Sequence, residues 1–97
     1  MAITNERITE LENLGFKRWT KGSMDRLYIN AAQLGLNCTY YKTGNIHSAE
    51  FQGVSVSNCH ARQMKGAKTY IDVKTGRVYS DDSWLRDAAA ELAGIEQ

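Results

Sequence analysis

The sequence predicts a single α+β domain: a mostly antiparallel sheet built from three hairpins, with helices at the N-terminus, middle and C-terminus packed on one face. Three observations carry this. Apolar residues recur at helical spacing in three separated stretches, the segments between them are rich in branched and aromatic residues, and these are joined by turns too short for a parallel crossover. The chain has 97 residues, 42% hydrophobic and 24% charged, with no proline, a balance that fits one globular domain with one core.

Ile3, Ile8, Leu11 and Leu14 recur at helical spacing after the polar pair Thr4-Asn5, so a first helix is expected from 5 to 14. Gly15 ends it, and Phe16 stands where a Schellman cap folds it back onto Leu11. Residues 16–20 and 25–30 flank Lys21-Gly22-Ser23 as a first hairpin. Asn30 to Gly35 reads as one helical turn with an amide cap at one end and glycine at the other. Residues 36–42 and 46–51 flank Thr43-Gly44-Asn45 as a second hairpin, and Gln52-Gly53 turns the chain into 54–56. Ser57 caps a helix over 58–65 that Gly66 closes. A third hairpin pairs 69–73 with 77–80 across Lys74-Thr75-Gly76. Ser80 or Asp81 then caps a helix over 82–93 whose stripe is Leu85, Ala88, Ala89 and Leu92, and Gly94 stops it.

No run approaches the roughly 18 apolar residues of a membrane span, and the start has neither the basic nor the apolar region of a secretory signal. No membrane partner is expected. With only Cys38 and Cys59, there is no disulfide framework, and free thiols suit a reducing compartment, so the expected localisation is cytoplasmic.

The net charge of +1 conceals a segregation along the chain. Residues 1–15 carry −2 and residues 81–97 carry −4, while the segment between them sets ten Lys and Arg against three acids, a balance of +7. Such a distribution can build a basic face on a nearly neutral molecule. Strand alternation sharpens this. If Leu27, Ile29, Thr69, Ile71, Val73 and Val78 turn inward, the opposite side gathers Arg26, Tyr28, Tyr41, Lys68, Tyr70, Arg77 and Tyr79, with Lys17, Arg18, Trp19 and Lys21 on the neighbouring hairpin. Tyrosine and arginine dominate protein-interface anchors, and the same face could stack unpaired bases while cations hold phosphates. Tyrosine is also simply a good strand former whose ring edge a lysine or arginine can cover.

Other chemistry is thinly supported. Cys38, His47, Cys59 and His60 lack metal-ligand spacing, so neither a metal nor a cofactor is expected. Cys59, early in its helix and near His47 or His60, offers a cysteine-nucleophile reading, although cysteine there is commonly inert. There is no phosphate-binding glycine loop, no dinucleotide fingerprint and no acidic metal loop. Trp19 and Trp84 read as partner anchors or as the rim of the core.

The run from Leu14 to Trp19, the strand from Met24 to Ile29 and the segment from Ala67 to Gly76 resemble short uncharacterised proteins of bacterial prophages and mobile elements. The resemblance carries no catalytic motif and implies a class: compact, non-enzymatic proteins that bind a host macromolecule, among them inhibitors of bacterial defence such as anti-CRISPR proteins. The expectation is therefore a protein that is not an enzyme and binds a host protein, with a nucleic-acid-handling enzyme of acidic surface as the first candidate. The alternatives are direct single-stranded DNA or RNA binding and, third, a cysteine-dependent enzyme.

Overall fold

A computed structural model of the chain describes residues 2–94. In chain order the elements are α1 (Asn5–Asn13), β1 (Lys17–Lys21), β2 (Met24–Ile29), β3 (Leu36–Tyr40), β4 (Ile46–Phe51), β5 (Val54–Val56), α2 (Asn58–Gly66), β6 (Thr69–Asp72), β7 (Val78–Ser80) and α3 (Ser83–Ala93). The α+β class, the three hairpins and the three helices are those the sequence predicts.

The caps explain why the elements stop where they do. The Thr4 hydroxyl accepts from the Arg7 amide at 3.2 Å, opening α1. At its other end the Phe16 amide donates to Leu11 and the Gly15 amide to Glu12, both at 3.1 Å, which is the Schellman pairing expected. The same pair of bonds closes the turn after Asn30, where Leu36 donates to Ala31 and Gly35 to Ala32. Gly15 and Gly35 both sit at φ 115°, a backbone angle that a side chain would strain. Asn30 Oδ1 accepts from the Gln33 amide at 2.9 Å, so this six-residue link is a capped helical turn.

All strand pairings are antiparallel, but the hairpins divide over two sheets. The first and third join through β2 and β6 into a four-stranded sheet of order β1-β2-β6-β7, while the second extends with β5 into a separate sheet of order β3-β4-β5. The capped turn over residues 30–35 carries the chain away from the edge of β2, which leaves that edge free to take β6 with Leu27 opposite Ile71 and Ile29 opposite Thr69. Helix α3 lies against β6 and β7 with α1 beside it, and α2 covers β3 and β4. The helices therefore back both sheets from inside a single hydrophobic cluster that runs from Ile8 and Leu11 through Leu27 and Ile71 to Phe51, Met64 and Leu85.

Two details of α3 depart from the sequence reading. Asp82, rather than Ser80 or Asp81, is its cap: Oδ1 accepts from the Trp84 and Leu85 amides at 2.9 and 3.1 Å, while Ser80 ends β7 and its hydroxyl accepts from the Asp82 amide. Leu92 faces solvent while Ala90 and Ala93 are buried, because α1 packs beside α3 and widens the covered arc beyond the sheet side. Glu96, counted in the acidic C-terminal segment, lies outside the described residues.

Candidate binding face

Strand pairing sets the outer surface of the four-stranded sheet in rows. Lys17 lies opposite Tyr28, Tyr28 opposite Tyr70 and Tyr70 opposite Tyr79, so one row crosses all four strands. Two residues along, Trp19 lies opposite Arg26 and Arg26 opposite Asp72, whose amide donates to the Arg77 carbonyl at 2.9 Å. Because side chains alternate along a strand, Leu27, Ile29, Thr69, Ile71 and Val78 take the other side and are buried against the helices. These outer aromatics are left open to solvent, Tyr28 and Tyr79 of the first row at 38% exposure each and Trp19 of the second at 36%, with Tyr70 half-buried between them.

The cations do more than surround the rings. The Arg26 guanidinium stands 5.5 Å from the Tyr70 ring centre and 5.4 Å from that of Tyr79, and Arg77 stands 5.2 Å from Tyr79 on its own account. Tyrosine and arginine thus alternate across β6, β2 and β7, each contact worth about 0.5–1 kcal/mol at a surface and more when shielded. Arg26 is half-buried, and its Nε, closed off from solvent, has no hydrogen-bond partner. The guanidinium is held in place by rings rather than by a carboxylate, which leaves its charge unneutralised.

Two concavities flank Tyr70 and Lys68. One, of about 410 Å³, lies between Trp19, Tyr28 and Tyr70, with Lys17, Lys68 and Gln33 at its margins. The other, of about 750 Å³, is lined by Arg26, Arg77, Tyr79 and Arg86 together with Asp81 and Asp87. Lys68 and Tyr70 belong to both.

The predicted residues Lys17, Trp19, Arg26, Tyr28, Lys68, Tyr70, Arg77 and Tyr79 are brought together on this face, and Lys21 ends β1 on the same side, opposite Met24. Two others are placed elsewhere. Arg18 has the opposite parity on β1: its Nε and Nη2 donate to the two carboxylate oxygens of Asp25 at 2.9 and 2.7 Å, away from the tyrosines. That bidentate bond, with the attraction between the charges, holds the Asp25 carboxyl below its ordinary pKa and raises that of Arg18. Tyr41 follows β3 on the three-stranded sheet, packed edge-on against His47 at 4.8 Å, and so cannot join the row. Arg86 was not anticipated. It lies in the acidic C-terminal segment, and the sign available in the sequence was its position off the apolar stripe of α3.

Trp84 packs at the rim of the core, 6.3 Å from Phe51 of β4 and 5.1 Å from His60 of α2. His60 Nε2 is 2.6 Å from Asp82 Oδ2, a contact that ties α2 to the cap of α3 and engages that ring nitrogen away from Cys59. Cys38 and Cys59 are free thiols. Among the described residues no group of three or more His, Cys, Asp or Glu side chains converges to hold a metal ion, and no helix is long and apolar enough to cross a membrane.

No family model, curated protein or solved structure matches the chain.

Proposed function

We propose that this chain is a non-enzymatic binding protein that engages an acidic surface of a protein partner through the outer face of β1, β2, β6 and β7. The observation that carries the reading is the alternation of Tyr70, Arg26, Tyr79 and Arg77. A guanidinium fixed between two rings, as Arg26 is, loses little side-chain freedom when it meets a carboxylate, and arginine and tyrosine are the residue types that anchor protein interfaces. Base stacking needs free ring faces, and Arg26 and Arg77 already stand over two of the tyrosines. Trp19 and Tyr28 carry no such cation and support the second reading, single-stranded DNA or RNA laid along β1 and β2. The resemblance to mobile-element proteins supports a host target, such as a nucleic-acid-handling enzyme that the chain inhibits by occupying it.

The test uses the whole chain, immobilised, with nuclease-treated bacterial extract. A partner that is captured after nuclease treatment, and lost when Lys17→Glu, Arg77→Glu and Arg86→Glu are combined with the far-UV circular dichroism unchanged, supports the protein-binding reading. Capture unaltered by the three reversals overturns it. Oligonucleotide binding that falls steeply between low and physiological salt supports the second reading.

A further inference from the structure

The two concavities differ in chemistry, and their juxtaposition is informative. The smaller is walled by Trp19, Tyr28 and Tyr70, rings that offer apolar area and a rigid slot. The larger presents Arg26, Arg77 and Arg86, with Lys68 on the wall between the two. Asp81 and Asp87 line it as well, and Asp87 pairs with Arg86 at 3.7 Å, so the charge left to meet a ligand is carried chiefly by Arg26 and Arg77, which face tyrosines, and by Lys68. A ligand that fills both must therefore be apolar at one end and negative at the other.

Resting on the protein-binding reading, we propose that this face receives an extended peptide segment running across the strands, with one aromatic or large aliphatic side chain seated between Trp19, Tyr28 and Tyr70 and a cluster of carboxylates over Arg26, Arg77 and Arg86. Charge complementarity selects the occupant, since a purely apolar segment leaves the basic trough unmatched and a purely acidic one leaves the aromatic slot wet. The strand spacing sets the register. Neighbouring strands lie about 4.8 Å apart, so the slot beside β1 and β2 is roughly 10–14 Å from the trough beside β7. Extended chain covers that in about three to four residues at about 3.3 Å each. Side chains of an extended segment alternate in direction, so the recognised pattern is an anchor followed by an acidic run that starts three positions on and turns its carboxylate at the fourth position toward the trough. Lys68, shared by both concavities, neutralises the first carboxylate.

Fluorescence anisotropy of labelled synthetic peptides against the full chain tests this. The reference peptide carries Phe, two Gly-Ser spacer residues and three Glu. Three controls replace Phe by Ala, replace the Glu residues by Gln, or place the Glu residues directly beside Phe. Each control binds about tenfold or more weakly than the reference. In Trp19→Ala the Phe and Ala peptides become equivalent while salt dependence persists, and Trp19→Tyr restores their difference. In Arg77→Glu with Arg86→Glu the Glu and Gln peptides become equivalent while the Phe preference persists. Equal binding of all four peptides, or none by any, overturns the two-part site. If the charge reversals nevertheless abolish nuclease-resistant partner capture, the protein-binding reading survives that failure. Displacement of the reference peptide by an oligothymidylate at lower concentration than unlabelled reference peptide overturns the peptide assignment in favour of nucleic acid.

Discussion

Arg18 and Asp25 show how one strand position decides between a binding residue and a structural one. Both lie on the inward-parity side of their hairpin, at its edge, and their bidentate pair fixes β1 to β2. Because the Asp25 pKa is depressed in the folded state, its contribution to stability is present above the ordinary aspartate value of about 3.9 and is lost as pH falls through the folded value. In Asp25→Asn the melting temperature should therefore drop by a few degrees at most at neutral pH, since Arg18 is exposed and Asp25 only half-buried, and the difference from the unaltered chain should disappear in strong acid. A difference that persists or grows on acidification would show the pair to be electrostatically silent. Asp82 is a stronger case because it is buried and serves both the α3 amides and His60. Asp82→Ala should cost about 2 kcal/mol in urea unfolding, and Asp82→Asn, which keeps a capping oxygen, should cost less.

At the scale of elements, α3 is built for close approach. Ala88, Ala89, Ala90 and Ala93 are buried between α1 and the sheet, and small side chains let three layers meet there. Ala89→Leu, at a position with no exposure, should destabilise the chain by about 1–3 kcal/mol, read as a lower urea midpoint with an unchanged slope. The hairpins show the limits of local reading. Turn chemistry at Lys21-Gly22-Ser23 and Lys74-Thr75-Gly76 made each hairpin legible, and alternation correctly assigned Leu27, Ile29, Ile71 and Val78 to the inside. Which hairpins would pair with each other was not legible, because the β2–β6 contact joins residues about forty positions apart through backbone bonds that any sequence can make. Tyr41 is the example. Its alternation phase within the second hairpin places it beside the other tyrosines only if all hairpins share one sheet, whereas it follows β3 of the separate three-stranded sheet.

The whole molecule is two sheets on one core, and Trp84 stands where they meet, reaching from the start of α3 to Phe51 of β4 and His60 of α2. Such a shared core should unfold as one unit. Urea unfolding followed by Trp84 fluorescence, in a Trp19→Phe background, should coincide with unfolding followed by far-UV circular dichroism. Two separated transitions would show that the three-stranded sheet and α2 form an independent unit. The same architecture leaves the outer face of the four-stranded sheet bare, since α1 and α3 lie behind it and α2 is committed to the other sheet.

The ends of α1, the turns and the inward phase of β2, β6 and β7 were determined by the sequence alone, because caps, glycine angles and side-chain alternation act over a few residues. Only the tertiary structure decided that Tyr28, Tyr70 and Tyr79 form one row, that Arg26 sits between two rings, and that Arg86 of an acidic segment joins a basic trough. Those outcomes depend on which strand edge was free and which helix covered which sheet, and both are set by burial of a core drawn from the entire chain.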